Sequence, residues 1–302
     1  MKVLMATDGS KDATTAITSA ARLLRKKDLH VDVLCVAPQL TLQRGPQSTG
    51  RGRLHDTYKN KITKESELIV QRAQNVLQHE GLSAKALADL GSPADEIIQR
   101  ALDYDMVVVG AYGKYERRQP GLGPTSNLVV QNAQRTVLVG RELSNETNYR
   151  VLVALDASDA SFGALDTLGT NFDVASLDVT LMHVVEMPWA RLRMQEPGEG
   201  GAVEEPTELE DYQRELEREL RLDSEAVIDR GVRQLEKWNV SATTIIEEGD
   251  PALELTSHAE AGNYDLVVTG ATGSSDVKHA LLGSVSLKLA WNLPCSVIVV
   301  RT

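Results

Sequence analysis

The chain contains few of the residues that mark redox and metal-binding proteins. Only two of its 302 residues are cysteines, and Cys35 and Cys295 lie in separate strand-like segments without a Cys-x-x-Cys motif. The six histidines form neither an HxxxH nor an HExxH pattern, so the common zinc spacings are missing. The sequence therefore predicts two reduced, buried thiols and no resident metal site.

Long apolar segments and an excess of positive charge are also lacking. No apolar run approaches the roughly 18 to 20 residues that cross a bilayer, and residues 2–6 resemble a strand rather than a signal peptide. The 43 acidic residues outnumber the 32 basic ones, and the net charge of -11 weighs against nucleic acid or a membrane as partner. These features predict a cytoplasmic protein.

Motifs of dedicated catalysis are missing as well. The sequence has no G-x4-G-K-[ST] phosphate loop, no GxSxG nucleophile elbow and no pair of carboxylates beside a base. We therefore assign no catalytic residue and expect a binding protein ahead of an enzyme.

The chain does contain an internal repeat. VLMATDGS at residues 3–10 returns as VLVALDAS at 151–158, and YDMVVVG at 104–110 returns as YDLVVTG at 264–270. The matching segments keep the same order in both copies, which indicates a tandem duplication with pseudo-twofold symmetry.

The repeat predicts two domains. Domain 1 is expected over residues 1–142 and domain 2 over 149–302, joined by the polar linker 144–148. Two segments rich in glycine, proline or glutamine, 39–53 and 187–206, fit no regular element. They are interpreted either as surface loops or as a lid or partner-docking segment.

Each copy alternates short apolar strands with segments of helical periodicity, which is typical of βαβ units in a parallel sheet. The fold class is therefore α/β. The predicted strands are 3–7, 31–36, 85–90, 106–109 and 136–140 in the first copy, and 151–155, 178–185, 241–247, 266–269 and 296–300 in the second.

A glycine-rich loop follows the fourth strand of each copy. In the second copy it has the spacing G-x2-G-x9-G-S and opens a helix. Glycine lets a backbone approach a ligand closely, and the N–H groups at a helix N-terminus carry partial positive charge, so the loop predicts a phosphate site. Its main-chain N–H groups and serine hydroxyls are expected to come from Gly270, Gly273, Gly283, Ser284, Val285 and Ser286.

An aspartate ends the first strand of each copy, at Asp8 and Asp156. Ligands of open parallel sheets bind beyond the carboxyl ends of the strands, where the strand order reverses. If the first and fourth strands are neighbours, Asp156 lies beside the glycine loop, where its carboxylate suits a ribose or a base. The alternative is that Asp156 only caps the helix that follows it.

Together these features resemble the universal stress protein family, in two copies that cover nearly the whole chain. The resemblance rests on a strand ending in Asp-Gly-Ser or Asp-Ala-Ser and on the G-x2-G-x9-G-S loop before a last helix and strand. It implies two doubly wound, open parallel sheets of five strands in the order 3-2-1-4-5. It also implies an adenine nucleotide, ATP with Mg²⁺, as ligand, and a stress-response or signalling role.

The same resemblance assigns roles to residues of the second copy. Asp156 is expected at the ribose or adenine, the main chain of Ala154, Leu155 and Val184 at the base, and the glycine loop at the phosphates. His183, next to Val184, is interpreted as a strand residue rather than a catalyst.

The first copy carries a degenerate phosphate loop, because Pro124 stands where the second copy has Ser284. Proline has neither hydroxyl nor N–H, although it suits the first position of a helix. We therefore predict that the nucleotide is held mainly in domain 2, at most with slow hydrolysis. Lys114, Arg117 and Arg118 either compensate as point charges or form a solvated face. The weaker candidates of domain 1 are Asp8, Val36, Gly110, Gly113, Gly123, Thr125 and Ser126.

Two other functions stay open. One is a scaffold or a module for a small molecule other than a nucleotide, particularly in domain 1. The other is an ATP-dependent enzyme of the α-hydrolase-like group, whose S-G-G-x-D-S loop this chain lacks. The last strands, 136–140 and 296–300, are expected to pair within the chain as a pseudo-dimer, and a homodimer of two chains stays open.

Overall fold

Strands and helices alternate through both halves of the chain. The computed structural model describes residues 1–38, 49–114, 121–144, 147–187, 207–273 and 282–301. The N-terminal half contains β1 Lys2–Ala6, α1 Lys11–Leu23, β2 His30–Pro38, α2 Thr49–His79, β3 Ala84–Gly91, α3 Pro93–Ala101, β4 Met106–Gly110, α4 Pro124–Asn132 and β5 Thr136–Gly140.

The C-terminal half repeats this order. It contains β6 Tyr149–Leu155, α5 Asp159–Asn171, a 3-10 turn at Val174–Ser176, β7 Leu177–Val185, α6 Thr207–Glu236, β8 Ala242–Glu248, α7 Pro251–Ala261, β9 Leu266–Gly270, α8 Ser284–Asn292 and β10 Ser296–Val300. The predicted strands are therefore confirmed, with β5 and β10 at the predicted bounds and the others shifted or extended by one to three residues.

One prediction about the connecting segments is wrong in part. Residues 49–53 were expected in a loop, because Gly50 and Gly52 each disfavour a helix by about 1 kcal/mol. They instead form the first turns of α2. Extending an existing helix adds a hydrogen bond for each residue fixed, which offsets weak local propensity. The remaining loop residues, 39–48 and 188–206, lie outside the described residues.

The sheet has the predicted strand order in each half. β1 pairs in parallel with both β2 and β4, and β6 pairs in parallel with both β7 and β9. The full order is β3-β2-β1-β4-β5-β10-β9-β6-β7-β8. Each half thus has the doubly wound order 3-2-1-4-5, and the strand order reverses between β1 and β4 and between β6 and β9.

The two predicted sheets are continuous as one sheet of ten strands. β5 and β10 pair antiparallel, with Leu138 opposite Ile298 at the centre of the pairing. The expected pairing of the last strands is therefore present within the chain, and it is what joins the halves.

Successive strand residues point to opposite, fully covered faces of the sheet. Val3 and Met5 belong to the core that packs under α1, α2, α5 and α6, whereas Leu4 and Ala6 belong to the core under α3, α4, α7 and α8. Continuous apolar strands are the expected pattern when both faces of a parallel sheet are buried. Of the helices in the described ranges, none combines the length and the hydropathy that a bilayer crossing requires.

Two arginines cross the junction between the halves in a pseudo-symmetric pair. Arg141, directly after β5, donates from its guanidinium to Ala290 O (2.9 Å) at the end of α8 and to Cys295 O (3.0 Å). Arg301, directly after β10, donates to Val130 O (2.6 Å) at the end of α4 and to Arg135 O (3.3 Å). Burial lowers the pKa of both guanidinium groups, that of Arg301 to about 10. Both remain protonated at neutral pH, so each half supplies a cation to a helix C-terminus of the other.

We predict that Arg141→Met lowers the free energy of unfolding by about 2–4 kcal/mol, because it removes two hydrogen bonds from a charged donor and leaves carbonyls without a partner. Arg135→Met is the matched control, since Arg135 is exposed and donates one hydrogen bond to Leu102 O. Urea unfolding followed by circular dichroism measures both variants. If both variants lose the same free energy of unfolding, Arg141 stabilises the protein no more than the exposed Arg135 does.

Candidate functional site

The strand order places two crevices at the carboxyl ends of the strands, one in each half. Val153 on β6 pairs with Val268 on β9, so Asp156 after β6 and the glycine loop after β9 lie at the same edge of the sheet. The equivalent pairing of Met5 with Val108 brings Asp8 and the first glycine loop together. The condition set from the sequence, that the first and fourth strands be neighbours, is met in both halves.

Asp156 packs against the glycine loop. A Cβ atom built on Gly273 would lie 2.7 Å from Asp156 Oδ2, so any side chain at position 273 would displace the carboxylate. Asp156 Oδ1 accepts from Ser158 N (3.2 Å) and Ser158 Oγ (2.5 Å). The side chain that caps α5 is that of Ser158, which accepts from Ser161 N at 3.1 Å. Asp156 therefore orients the cap and is not itself the cap.

The first glycine of each loop is required by packing. A Cβ atom on Gly270 would lie 2.8 Å from the carbonyl carbon of Ala160, and one on Gly110 would lie 2.8 Å from Ala13 N. Both glycines let the first turn of a helix, α5 or α1, approach the end of the neighbouring strand. Gly283 is less constrained, since its Cβ would lie 3.3 Å from Ala271 O. The close packing of the helix thus explains why positions 270 and 110 are glycine, and no contact with a ligand is needed to explain it.

The start of α8 uses some of the expected phosphate donors within the fold. Gly283 N donates to Ala271 O (2.6 Å), and Ser286 Oγ donates to Gly270 O (2.6 Å). Among the residues that the structure describes, no acceptor is found for the N–H groups of Ser284, Val285 and Ser286. The donors that α8 offers to an anion are therefore these three N–H groups together with the exposed Ser284 side chain.

The start of α4 follows the same plan with fewer donors. Gly123 N donates to Ala111 O (2.8 Å), and Ser126 Oγ donates to Gly110 O (2.6 Å). Pro124 occupies the first helical position and has no N–H. Within the described part of this half, the N–H groups of Thr125 and Ser126 are those of the first helical turn that have no acceptor.

The residues expected to contact the adenine base lie at the carboxyl ends of β6 and β7 in the C-terminal half. Ala154 and Val184 are nearly buried, each 9% exposed, and Leu155 is paired in register with His183. The Nδ1–H of His183 donates to Leu155 O at 2.7 Å, so the ring has a partner inside the fold.

A cavity of about 660 Å³ opens in the N-terminal half. It brings together six of the seven candidates from that half, and Gly123 is the one that does not line it. Those six are Asp8, Val36, Gly110, Gly113, Thr125 and Ser126. The volume lies within the range of about 300–1,000 Å³ that is usual for small-molecule sites.

Sequence reasoning missed the wall that α2 contributes to this cavity. Ile62, Ser66 and Ile69 line it at the spacing i, i+4, i+7, and that helical period was the available signal. The helical period of Ile62 and Ile69 predicts a buried side of the helix and does not by itself predict a cavity. Glu65 of the same helix pairs with Lys114, Nζ to Oε1 3.0 Å, and Lys114 N donates to Asp8 Oδ2. Arg117 and Arg118 lie outside the described residues.

The two cysteines are buried and unpaired with each other, as expected. Burial raises the pKa of the Cys35 thiol, and it raises that of Cys295 to about 11. Both are thus protonated at neutral pH. Within the described ranges, no cluster of three or more histidine, cysteine, aspartate or glutamate side chains is placed to hold a metal ion.

Comparison with known proteins establishes the family. The model of the universal stress protein family matches residues 1–141 and 148–301. The chain belongs to the universal stress protein family, with two copies of its domain in tandem.

Relatives match either one copy or the whole chain. A universal stress protein of Bacillus subtilis is 29% identical over half of this chain and 98% of its own length. One of Mycolicibacterium smegmatis is 26% identical over 99% of this chain and 96% of its own length. The crystal structure of a universal stress protein from Archaeoglobus fulgidus has a TM-score of 0.66 at 20% identity, covering 99% of this chain and 98% of that one. This last likeness shows the shared fold.

The residue after the aspartate differs between the crevices in a way that affects stability. Gly9 has φ +76° and Ala157 has φ +66°, so both adopt the left-handed conformation that a Cβ atom disfavours by about 1–2 kcal/mol. Ala157 is exposed, and its methyl group therefore gains little from packing. The C-terminal crevice thus carries backbone strain that the N-terminal crevice avoids.

We predict that Ala157→Gly raises the free energy of unfolding by about 0.5–1 kcal/mol, the relieved strain being partly offset by the greater freedom of glycine in the unfolded chain. The reciprocal Gly9→Ala should lower it by about 1–2 kcal/mol, since its Cβ would also lie 3.1 Å from Ile69. Urea unfolding of both variants measures the effect. A lower free energy of unfolding in Ala157→Gly would show that the backbone at Ala157 is not strained.

Proposed function

We propose that this protein binds ATP in the crevice of its C-terminal half and acts in the cytoplasm as a nucleotide-responsive stress or signalling protein. The observation that carries the proposal is the geometry at β6/β9. There, α8 begins beside the loop against which the Asp156 carboxylate packs, and the N–H groups of Ser284, Val285 and Ser286 have no acceptor among the described residues. Polar donors for phosphate and an acceptor for ribose thus meet at one edge of the sheet.

The residues fit the parts of an adenine nucleotide in order along the crevice. The apolar ends of β6 and β7, at Ala154 and Val184, offer a surface for the base. Asp156 accepts two bonds from Ser158 through Oδ1, and its carboxylate suits a ribose hydroxyl at this position. The first turn of α8 then faces the phosphates. Mg²⁺ would enter with the triphosphate and neutralise part of its charge.

The proposal assigns binding and no catalytic residue. ATP hydrolysis needs a positioned water and groups that stabilise the transferred phosphoryl, and the sequence motifs for such machinery are missing. Any hydrolysis is expected to be slow, and the functional change is expected to come from the occupied and empty states of the crevice. The domain bounds 1–142 and 149–302 and a homodimer of two chains stay predictions.

We predict that Ser284→Pro in the full chain weakens ATP binding at least about 10-fold. The change removes one N–H and one hydroxyl, and a hydrogen bond to a charged group contributes about 1.5–3 kcal/mol, where 1.4 kcal/mol corresponds to a factor of ten. Proline is compatible with the first helical position, as Pro124 demonstrates in the other half, so the fold is expected to be kept. Isothermal titration calorimetry with Mg-ATP measures the affinity.

The matched variant is Pro124→Ser, which adds the same two donors to the start of α4. It should leave the C-terminal affinity unchanged and strengthen ATP binding in the N-terminal half. An ATP affinity that is equal in wild type and Ser284→Pro would refute the proposed phosphate seat at α8.

A further inference from the structure

The N-terminal cavity differs from the C-terminal crevice in the charge it can accept. We propose that it binds an uncharged nucleoside rather than a nucleotide, so that one chain carries two sites for ligands that differ in their phosphates. The nucleoside class of this ligand rests on the proposed function, since it treats the two halves as copies of one nucleotide site. Four observations on the described residues support the proposal.

First, apolar side chains of β2, β4, α2 and α3 line part of the cavity. They are those of Leu34 and Val36 on β2, Val109 on β4, Ile62 on α2 and Ile97 on α3. An aromatic base buried against such side chains is stabilised by about 25 cal/mol per Å² of apolar surface that is removed from water. The cavity therefore fits the flat, apolar part of a nucleoside.

Second, an acceptor for a hydroxyl group lies at the same position as in the other half. Asp8 Oδ1 accepts from Ser10 N at 2.9 Å and Oδ2 accepts from Lys114 N. Each carboxylate oxygen has a second lone pair, so Asp8 is held in place and still able to accept from a ligand. The ribose position is thus retained in the N-terminal half.

Third, the charges on the lining residues cancel. Asp8 and Glu65 are acidic, Lys61 and Lys114 are basic, and the ion pair between Lys114 and Glu65 joins the glycine loop to α2. A triphosphate brings several negative charges, and burying them requires compensating cations or hydrogen bonds. The described lining supplies no net positive charge to meet that requirement.

Fourth, the helix that would hold phosphates offers few donors. The N–H of Gly123 and the hydroxyl of Ser126 are engaged by Ala111 O and Gly110 O. Pro124 contributes no N–H, so the first turn of α4 is left with the N–H groups of Thr125 and Ser126, one fewer than the first turn of α8. The base and ribose parts of a nucleotide site are therefore present, while its phosphate part is reduced.

The test is a calorimetric titration of the full chain with adenosine in the presence of saturating Mg-ATP, which blocks the C-terminal crevice. We expect about one adenosine to bind per chain under these conditions. Ile62→Trp, which fills the cavity from α2, should weaken that binding at least about 10-fold and leave the ATP affinity unchanged. Leu68→Trp is the control, because Leu68 is on the same helix, is 53% exposed and does not line the cavity.

A second pair of variants avoids any change of volume. Asp8→Asn should weaken adenosine binding in the presence of ATP, whereas Asp156→Asn should weaken ATP binding and leave the adenosine site intact. Circular dichroism verifies that each variant is folded.

The possible results separate this inference from the proposed function. The inference is wrong if ATP abolishes adenosine binding, if no adenosine binds, or if both Ile62→Trp and Asp8→Asn leave it unchanged. Failure of ATP to bind the wild type, together with adenosine binding that Ile62→Trp removes, would instead overturn the C-terminal ATP site and retain the nucleoside site.

Discussion

The antiparallel pairing of β5 with β10 is the contact on which the rest of the structure depends. It turns the last strand of each half, which would be an exposed edge, into an interior strand of a ten-stranded sheet. Arg141 and Arg301 reinforce it by carrying hydrogen-bond donors from each half to helix-end carbonyls of the other. The ring of Trp291 occupies the space in which Gly121 would otherwise have a side chain. Separating the halves would leave both edges and these carbonyls without partners, so the chain is one structural unit built from two copies.

This junction also determines how the two crevices relate to each other. α4 begins at the N-terminal glycine loop, and in its last turn Val130 O accepts from Arg301 of the other half. α8 begins at the C-terminal glycine loop, and in its last turn Ala290 O accepts from Arg141. Each nine-residue helix therefore meets a crevice with its first turn and the opposite half with its last. The positive end of the helix dipole faces the crevice, and the negative end faces an arginine.

The sequence predicted the α/β class and the duplication from its repeated pattern of apolar strands and helical segments, and it predicted the strand order and the pairing of the last strands through the resemblance to the family. It could not predict which donors at the loop are engaged within the fold, since the bonds from Gly283 and Ser286 depend on where the preceding strand ends in space. The contribution of α2 to the N-terminal cavity was missed for a related reason. Helical periodicity shows that Ile62 faces inward, but only the packing of α2 over β2 shows that it faces a cavity rather than filled core. The crossing arginines gave no periodic signal at all.

The two halves differ at the crevice in ways that leave the fold intact. Proline at the first position of α4 removes a donor without disturbing the helix, because that N–H has no partner within the helix in any case. The substitution therefore removes a hydrogen-bond donor for an anionic ligand and leaves the helix intact. At Ala157 the effect is on stability. Ala157 has a strained backbone conformation beside Asp156, with φ +66°, that glycine would relieve. On the proposed assignments, a single helix-start residue thus distinguishes the ligands of the two copies, while the strand order is the same in both.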